Sequence, residues 1–366
     1  MIKDVDVAVL GGGPAGCATA LALAHDGYSV VLVERSAYDK VRVGETLPPA
    51  VQMLLRSLGV WGHFVRDAHS ASPGIHCAWG QPDLHENDFI FNPYGMGWHI
   101  DRRRFDAMLA RVVEEAGASV YRGAPWTSSE GSTAKREICI VQGDERLILR
   151  TRFVVDATGR ASALARKEGA TRISYDRLVG VVVFFFLSRD ENSLGDCTLV
   201  EAVEDGWWYS ALLPNHRLVV AYMTDADLYA RGPRLSIHYW QEQLRKTKHT
   251  QALIKSLTLQ SGPFIVAANS SRLDQLSGRS WLAIGDAATA FDPLSSQGVY
   301  KALESGIRAA RAIQNYFAGN GTALGSYAAE MEEYFDYYLL MRNKYYGRET
   351  RWLRSAFWQR RRLGYR

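Results

Sequence analysis

The sequence predicts an α/β protein in which a parallel-sheet domain is built from separate stretches of chain, with an inserted antiparallel β-sheet and a helical C-terminus. Three observations indicate this class. Apolar runs over 5–10 and 28–33 flank a glycine turn and a run of strong helix formers, which is the order of a βαβ unit. Between residues 175 and 223 the pattern is β-rich, with regularly spaced strands. From residue 300 onward the pattern is helical.

The turn of the βαβ unit reads Gly-Gly-Gly-Pro-Ala-Gly over residues 11–16. Gly11 permits the tight turn, Gly13 lets a pyrophosphate approach the backbone at the helix N-terminus, and Gly16 allows the helix to lie close on the strand. Glu34 ends the second apolar run, where a carboxylate would accept hydrogen bonds from an adenosine ribose. Because a strand and a helix flank the turn, a purely structural glycine turn is the less favoured interpretation. An ADP-containing dinucleotide, FAD or NAD(P), is expected here.

The remaining elements follow from periodicity and from glycine and proline punctuation. Gly59 and Gly117 stop two helical patterns. The strands after residue 175 are expected to form one antiparallel sheet. The predicted elements are helices at 50–58, 104–116 and 235–257, strands at 74–79, 88–91, 179–187, 197–203, 207–213, 217–222 and 280–284, alternating strands over 118–149, a strand leading into a turn at 156–159, and a helix from near Gln297.

The charge balance argues against nucleic acid as a partner. With 43 basic and 39 acidic side chains the net charge is +4, which is small and scattered. Positive charge concentrates near the C-terminus, at Arg348, Arg351, Arg354 and 360–362. A solvated helix face is the favoured interpretation of this cluster, and docking of an acidic or peptide partner is the alternative.

Cysteine usage and hydropathy indicate in which cellular compartment the protein is expected. The cysteines Cys17, Cys77, Cys139 and Cys197 lie far apart and form no C-x-x-C pair, so neither a metal site nor a disulfide framework is expected. The N-terminus lacks the apolar core of a signal peptide. The longest apolar stretch, 179–187, is well below the roughly 20 residues of a membrane-spanning helix. We expect a soluble, cytoplasmic protein with no membrane partner.

Glycine–acid turns recur at three separated places, residues 11–16, 156–159 and 285–298. A plain NAD dehydrogenase needs only the first, so three such turns converging on one extended ligand indicate FAD. Asp286 suits the ribityl or diphosphate region, although a helix N-cap is an equally good interpretation of this residue taken alone. The helix beginning near Gln297 would direct its positive N-terminal end at the N1–C2=O edge of the flavin and stabilise negative charge in the reduced ring.

These motifs resemble those of the FAD-dependent monooxygenases of the p-hydroxybenzoate hydroxylase type, and within them the halogenase-like branch. The matching stretches are 11–16, 34–35, 43–45, Arg102 with 105–106, 156–159, 285–288 and 292–298. The resemblance implies a discontinuous Rossmann-type FAD-binding domain with an inserted β-sheet substrate domain. It places FAD-binding parts at 1–73, 98–172 and 269–315, substrate-domain strands at 74–97, the substrate domain at 173–268 and a helical C-terminal region at 316–366.

The same resemblance implies which residues contact FAD. Glu34 would hold the adenosine ribose, Arg102 would lie near the pyrophosphate, and Asp286 would bind the ribityl–diphosphate region. Residues 293–298 would line the isoalloxazine. The expected cofactor-binding residues are Gly11, Gly13, Pro14, Ala15, Gly16, Glu34, Arg35, Gly44, Glu45, Arg102, Asp156, Gly159, Asp286, Pro293, Ser296, Gln297 and Gly298.

Two departures from the halogenase pattern narrow the expected chemistry. The tryptophan halogenases of this branch carry a catalytic lysine on the strand after the Gly-Glu loop, whereas no lysine occurs here between Lys40 and Lys135. Their W-x-W-x-I-P stretch is replaced by Gly-Trp-Trp-Tyr-Ser-Ala-Leu-Leu-Pro at 206–214. Halogenation of free tryptophan is therefore disfavoured. The remaining activity is that of a flavin-dependent monooxygenase, which transfers hydroxyl from a C4a-hydroperoxide to an electron-rich ring.

Such chemistry needs a dry pocket, an aromatic substrate near the flavin and a group that helps to deprotonate an N–H or O–H. For any single aromatic residue core packing is the favoured interpretation, and for a histidine a structural hydrogen bond is as good as a proton-transfer role. Together the aromatic residues suggest a pocket for a flat substrate. The candidate catalytic residues are His76, His99, Trp79, Trp208 and Tyr209, with Trp98, Trp207 and Tyr222 as further pocket aromatics.

Within the branch, the chain looks most like the flavoproteins that mature tryptophylquinone cofactors by hydroxylating a tryptophan in a precursor polypeptide. The 44–49 loop, the missing lysine and the terminal pairs 351–352 and 357–358 carry this likeness. It implies a precursor polypeptide as partner, docked by the basic, aromatic C-terminal segment.

Other functions stay open at this point. A small phenol, indole or pyrrole intermediate could be the substrate instead of peptidyl tryptophan. An FAD-dependent reductase of isoprenoid chains shares the FAD motifs and would need a long apolar tunnel. A non-catalytic flavoprotein that acts as an assembly factor is a third class. No second nucleotide fingerprint is present, so electrons could come from NAD(P)H or from a separate flavin reductase.

Overall fold

The structure is a computed structural model that describes residues 2–131, 135–187, 196–230, 232, 235–255 and 257–362. Within those residues the helices are α1 (Pro14–His25), α2 (Val51–Ser57), α3 (Trp61–Arg66), α4 (Arg102–Glu115), α5 (Ala163–Lys167), α6 (Ala226–Tyr229), α7 (Ile237–Leu244), α8 (His249–Leu253), α9 (Gly298–Phe317), α10 (Ala323–Gly347) and α11 (Ala356–Arg362). The strands are β1 (Ile2–Leu10), β2 (Val30–Glu34), β3 (Thr46–Leu47), β4 (Ser70–Ser72), β5 (Gly74–Ala78), β6 (His85–Asp88), β7 (Gly97–His99), β8 (Ser119–Arg122), β9 (Trp126–Gly131), β10 (Arg136–Gln142), β11 (Glu145–Asp156), β12 (Arg172–Ser174), β13 (Leu178–Phe186), β14 (Thr198–Val203), β15 (Gly206–Leu213), β16 (Arg217–Asp225), β17 (Thr258–Leu259), β18 (Phe264–Ala267), β19 (Ser271–Leu273), β20 (Ser277–Gly278), β21 (Trp281–Ala283) and β22 (Thr289–Ala290).

A mostly parallel sheet forms the centre of the first domain, and we call it the nucleotide sheet. Its strands lie in the order β20-β21-β11-β1-β2-β8, and the β9–β10 hairpin pairs with β11. β21, β11, β1, β2 and β8 run parallel to one another. Every residue of β2 is buried, because helices cover such sheets on both faces. This burial explains why the parallel strands read as continuous apolar runs.

The inserted second sheet, which we call the substrate sheet, has the order β17-β13-β16-β15-β14-β5-β6, with β18 also paired to β13. The predicted antiparallel arrangement of β13, β16, β15 and β14 is confirmed. β5 adds to β14 in parallel, a pairing that was not predicted. Side-chain alternation gives the sheet two apolar faces, with Trp207 and Val219 on one and Trp208 and Val220 on the other.

Capping side chains explain where two predicted helices differ from the structure. The Asp101 carboxylate accepts a hydrogen bond from the Arg103 N–H (2.9 Å), so α4 begins at Arg102. The predicted helix over 235–257 is divided into α7 and α8. The Glu201 carboxylate accepts from the Thr250 N–H (2.7 Å) at the start of α8, and a fixed acceptor there starts a new helix. The predicted strand at 88–91 is wrong, because the strand lies at β6 and residues 89–91 follow it.

The C-terminal helices lie against the substrate sheet. Tyr346 in α10 and Trp358 in α11 are buried and pack edge-on against Trp79. The Arg361 guanidinium pairs with the Asp225 carboxylate (2.7 Å) in the interior. The predicted docking role is therefore wrong for Trp358, and the predicted solvated helix face is wrong for Arg361, because both side chains pack inside the fold. None of the described helices combines the length and apolarity that crossing a bilayer requires.

Candidate functional site

A cavity of about 850 Å³ lies at the carboxyl ends of the nucleotide-sheet strands. Glu34, Gly11, Ala157 and Ile284 line it and follow or end the adjacent strands β2, β1, β11 and β21. Three gaps of about 4.8 Å between strands give a span of roughly 14 Å. The cavity then continues to the substrate sheet, so its shape suits a long ligand rather than a single ring.

The glycine turn at 11–16 has the geometry that the sequence predicted. Gly11 has a φ of +115°, and a Cβ there would lie 2.1 Å from the Ala157 carbonyl oxygen. A Cβ on Gly16 would lie 1.9 Å from the Gly11 carbonyl oxygen, so helix and strand are in backbone contact. Gly13 differs, because its Cβ would meet nothing closer than the Arg42 guanidinium at 3.9 Å. Gly13 and the N-terminus of α1 therefore present bare backbone to the cavity.

Glu34 is a buried carboxylate at one end of the cavity. It accepts hydrogen bonds from the Gly12 N–H (2.8 Å), the Ser36 N–H (2.9 Å) and Arg42 Nη2 (3.0 Å). Burial alone would raise the pKa of Glu34, but the Ser36 and Gly12 hydrogen bonds and the Arg42 charge hold it below its ordinary value. The group is thus ionised and fixed in orientation.

Two guanidinium groups line the middle of the cavity and share one carboxylate. Arg102 donates to both oxygens of Asp106 (3.0 Å each) and to the Val43 carbonyl (2.8 Å). Arg42 Nη1 lies 3.7 Å from the same Asp106 carboxylate. Sequence reasoning found Arg102 but missed Arg42, whose only signal was a charged residue within the Gly- and Pro-rich loop. Arg42 also pairs with Glu34, and two neighbouring guanidinium groups that line one cavity suit a diphosphate.

Glu45 is the cavity residue with the least satisfied carboxyl group. It is 3% exposed, its Oε2 accepts from the Gly44 N–H (2.8 Å), and its Oε1 has no hydrogen-bond partner among the described residues. Burial raises the pKa of Glu45 to about 7. Glu45 also lines a side cavity of about 10 Å³, with Asp101 and Arg217. A space of that size holds about one water molecule.

In the turn after β11, Asp156 stabilises the turn, whereas Gly159 lines the cavity. The Asp156 carboxylate accepts from the Thr158 N–H (2.9 Å), the Thr158 hydroxyl (2.6 Å) and the Ala165 N–H (2.8 Å), and it does not reach the cavity. Its predicted contact with the cofactor is therefore replaced by a role in shaping the turn. Gly159 lines the cavity with a φ of +67° and has open space where a Cβ would be.

Asp286 lines the cavity between three cationic side chains. Lys301 Nζ donates to Asp286 Oδ1 (2.9 Å) and also to the Thr289 carbonyl. Arg160 Nε lies 3.6 Å from Asp286 Oδ2. Burial would raise the pKa of Asp286, but Lys301, Arg160 and Arg172 lower it below the ordinary value. Sequence reasoning missed Lys301, whose signal was a lysine within the apolar stripe of α9.

Helix α10 fixes the turn that begins at Asp292, and residues of this turn line the cavity. Arg342 Nε lies 3.3 Å from Asp292 Oδ2, and the Tyr346 hydroxyl donates to the same oxygen (2.7 Å). Pro293, Ser296 and Gly298 follow this anchor and line the cavity. The predicted ligand Gln297 does not line it, because its Oε1 accepts a hydrogen bond from Tyr334 (3.1 Å).

The substrate sheet closes the cavity with an apolar wall. Tyr209 lies on this wall, and its hydroxyl is 2.6 Å from Thr46 Oγ1. Thr46 lies 3.5 Å from Thr198, whose hydroxyl is 2.8 Å from His99 Nε2. Burial lowers the pKa of His99 to about 4, so the imidazole is neutral. The aliphatic wall residues are Val182, Val219, Ala221, Met223 and Val266.

Four of the five predicted catalytic residues do not line the cavity, and side-chain alternation explains this for Trp208 and His76. Trp208 points to the opposite face of the substrate sheet, where it stacks on Tyr222 at a ring-centroid distance of 4.9 Å. His76 belongs to that same opposite face. Trp79 Nε1 donates to the Tyr345 carbonyl (3.0 Å) at the C-terminal helices. A cavity role for these residues is therefore wrong, and the expected aromatic pocket is mostly an aliphatic wall.

The cavity brings together most of the predicted cofactor residues. Gly16, Asp156 and Gln297 lie behind its surface. The predicted residues that line it are Gly11, Gly13, Pro14, Ala15, Glu34, Arg35, Gly44, Glu45, Arg102, Gly159, Asp286, Pro293, Ser296 and Gly298.

Comparison with known families decides the nature of the ligand. The family described as "FAD binding domain" matches residues 4–334. The chain belongs to this FAD-binding family. The cavity fits FAD on its own geometry: the bare backbone at Gly13, Gly159 and Gly298 leaves room for a close ligand, and Arg42 and Arg102 match a diphosphate.

Similar proteins place this FAD-binding chain in the halogenase-like branch. The putative FAD-dependent oxidoreductase LodB of Marinomonas mediterranea is 29% identical over 366 residues, which cover 98% of this chain and 97% of that protein. The crystal structure of CmlS, a flavin-dependent halogenase, has a TM-score of 0.87 at 26% identity and covers 100% of this chain and 68% of its own. The structure of QhpG, a peptidyl tryptophan dihydroxylase essential for tryptophylquinone cofactor biogenesis, has a TM-score of 0.81 at 25% identity and covers 98% and 79%. The expected halogenase-like, FAD-dependent oxidoreductase class is confirmed.

Proposed function

We propose that this flavoprotein is a monooxygenase that hydroxylates an aromatic group, and that its substrate is a tryptophan side chain within a polypeptide. The observation that carries the proposal is the uncharged wall of the substrate sheet, where Tyr209 Oη is the polar group among aliphatic side chains. Among the described residues, the lysine that lines the cavity is Lys40. It is an exposed side chain in the loop after Glu34 and does not belong to the substrate sheet. An amine that could carry an activated halogen is absent from this described wall.

We assign each part of FAD to a group of residues that line the cavity. Glu34 would lie at the adenosine end, Arg42 and Arg102 at the diphosphate, and Asp286 at the ribityl hydroxyls. Residues 293–298 would face the isoalloxazine. When bound, FAD supplies the oxidation–reduction chemistry, and dioxygen supplies the inserted atom.

The chain's own residues supply the remaining requirements of hydroxylation. The aliphatic wall excludes water from the reacting centre. Glu45, with a pKa of about 7, holds a proton near neutral pH and can return it, and the small side cavity next to it gives room for a water. The Tyr209 hydroxyl, fixed by Thr46, offers a hydrogen bond to a polar group on the substrate.

Surface features favour a polypeptide over a small molecule. The rim of the cavity includes exposed Pro293 and Gly298, so the cavity opens to solvent. The loop after β6 exposes Ile90 (80%) and Phe91 (94%). Exposed apolar side chains on this loop suit contact with an apolar polypeptide.

The decisive experiment supplies reduced FAD, dioxygen and tryptophan-containing polypeptides, with mass spectrometry of the products. Gain of oxygen on tryptophan is the expected result. Free indoles and phenols are tested in parallel, and Phe91→Ser should raise KM for the polypeptide while leaving turnover of a small indole unchanged. Oxygen gain on the small compounds alone would rule out the polypeptide proposal.

Halogenation is the second candidate, because the flavin-dependent halogenase CmlS shares the fold over this whole chain. The same reaction is run with chloride or bromide. Products that carry halogen would overturn the hydroxylase proposal, and products whose mass is independent of halide support it. Consumption of NADPH without an added reductase would identify the electron donor, whereas dependence on a flavin reductase would identify that protein as a partner.

A further inference from the structure

Three side chains of metal-binding chemistry lie together at the edge of the substrate sheet. His76 in β5, Asp88 in β6 and Cys197 just before β14 each offer one ligand atom. These three atoms lie within 4.8 Å of one another. None of the three residues lines the flavin cavity.

The cluster lies on the sheet face opposite the flavin cavity. In the register of β5, β14 and β15, His76 aligns with Leu199, and Leu199 aligns with Ser210. Ser210 is the neighbour of the cavity residue Tyr209, so it points to the other face. The cluster is therefore separate from the FAD chemistry.

Gly74 lets side chains from three strands meet. It pairs with Asp88 on one side, and because Ile75 pairs with Thr198 on the other, Cys197 lies level with it. A Cβ on Gly74 would lie 2.8 Å from Asp88 Oδ1, so the carboxylate extends over the glycine. Strands two apart are separated by about 9.6 Å. The missing side chain allows Asp88 and Cys197 to approach each other across that gap.

The local charge favours a cation. The cluster contains the Asp88 carboxylate, and Asp196 directly precedes Cys197 in the chain. Glu86 pairs with His76 across the strands and so lies on the same face as the cluster. A divalent cation would offset this negative charge and stabilise the thiolate.

We propose that His76, Asp88 and Cys197 bind a zinc ion, with Glu86 as the candidate fourth ligand. One imidazole, one carboxylate and one thiolate form a ligand set that zinc favours. Tetrahedral bonds of about 2.0–2.3 Å put ligand atoms roughly 3.5 Å apart, so the side chains must close by about 1 Å. Asp88 is exposed and the other two are half-buried, which allows this movement. Binding releases the Cys197 proton. The thiolate and the Asp88 carboxylate balance the two charges of the ion, and Glu86 adds one further negative charge.

A metal at this position would join three strands. β6 is the edge of the substrate sheet, and β5 links it to β14. The ion would hold β6 in place and with it the start of the exposed loop that carries Phe91. Its role is structural, so it does not depend on which reaction the flavin cavity performs.

The FAD-loaded protein is dialysed against a chelator and titrated with zinc against a chromophoric competitor. The expected result is one equivalent per chain with a micromolar or lower Kd. Cys197→Ser and His76→Ala should each weaken binding by about 100-fold or more. Cys77→Ser is the matched control, because Cys77 is on the same strand as His76 but on the opposite face. Zinc left entirely on the competitor, or equal binding by Cys197→Ser and Cys77→Ser, would overturn the proposal.

A second measurement needs no variant and decides the question if substitutions impair folding. Zinc should slow alkylation of Cys197 by about tenfold or more, while Cys77 and Cys139 alkylate at unchanged rates. Peptide mass spectrometry distinguishes these cysteines. Equal alkylation of Cys197 with and without zinc contradicts the proposed site.

Discussion

Glu45 lies where ionisation of a carboxyl group is costly. It is buried, one of its oxygens has no hydrogen-bond partner among the described residues, and its pKa is about 7. The folded chain therefore holds a proton there between pH 4.5 and 7 that the unfolded chain releases. The contribution of Glu45 to the free energy of unfolding is fully present below the pKa that Glu45 has in the unfolded chain. It is lost as pH rises through the pKa that Glu45 has in the folded chain.

Replacing this carboxyl group tests that linkage. The wild-type protein should lose roughly 3 kcal/mol of stability from this group between pH 4.5 and 7.5. Glu45→Gln should not show this loss, because Gln cannot ionise. Urea unfolding at several pH values, at matched FAD saturation, measures the effect. Glu333→Gln, at an exposed position in α10, is the control. The same pH dependence in Glu45→Gln and in the control would show that Glu45 is not the group that titrates.

Lys301 makes the shortest ion pair among the cations that keep Asp286 ionised, and it is 1% exposed. Lys301→Met preserves length but removes the charge, so the pKa of Asp286 should rise. We expect FAD binding to weaken by about tenfold or more. Stability should fall by about 1 kcal/mol, because Asp286 loses its shortest ion pair while Arg160 stays 3.6 Å away. Flavin fluorescence titration and thermal unfolding measure the two effects. Lys344→Met, at an exposed site in α10, should change neither.

At the scale of elements, α10 fixes the turn that would face the isoalloxazine. The Tyr346 hydroxyl donates to Asp292 and accepts from Trp207 Nε1 (3.0 Å), so one group joins the turn, the helix and the substrate sheet. Asp292 in turn starts the 293–298 segment. Tyr346 is thus part of the core, and it also positions the site.

Removing this single hydroxyl should loosen the turn without changing the packing volume. Tyr346→Phe leaves the Asp292 carboxylate and the Trp207 N–H with one partner fewer, which costs about 2 kcal/mol. FAD affinity should fall as well, because residues 293–298 line the cavity. Tyr345→Phe at the neighbouring exposed position is the control and should stay within about 0.5 kcal/mol of wild type. Equal stability of the two variants would show that the Tyr346 hydroxyl does not stabilise the turn at Asp292.

At the scale of the whole molecule, the two sheets share packing. The core on the cavity side of the substrate sheet includes Trp207 and Phe357, with Val43 and Leu294 from the FAD-binding segments packed against it. We therefore expect one cooperative transition. In a urea titration, tryptophan emission, far-UV circular dichroism and flavin fluorescence should change at the same midpoint. Flavin release well before the loss of tryptophan signal would show that the sheets unfold separately.

The sequence allowed prediction of those parts of the site that are encoded locally. The turn at 11–16 and the residues Gly159 and Asp286 combine glycine with an acid between a strand and a helix, and they line or shape the cavity. The antiparallel order of β13 to β16 followed from regular strand spacing. Each of these predictions needs only neighbouring residues.

Other features depend on contacts that the local pattern does not contain. The two-residue alternation of the sequence correctly predicted that His76 and Trp208 lie on strands. Which face of the strand meets the cavity is set by the packing of the whole sheet. Arg42 and Lys301 reach the site through long side chains whose targets lie elsewhere in the chain. The ligands His76 and Cys197 are 121 positions apart, so no spacing motif could reveal them.

The parallel pairing of β5 with β14 bears on how this chain is made. β5 ends at residue 78 and β14 begins at residue 198, so 120 residues must be added before the pair can form. At translation rates of about 5–20 residues per second, this takes roughly 6–24 s. During that interval the edge of β5 that will pair with β14 has no partner strand. Chaperone dependence of soluble yield in cells should therefore exceed what the stability of the finished fold would suggest.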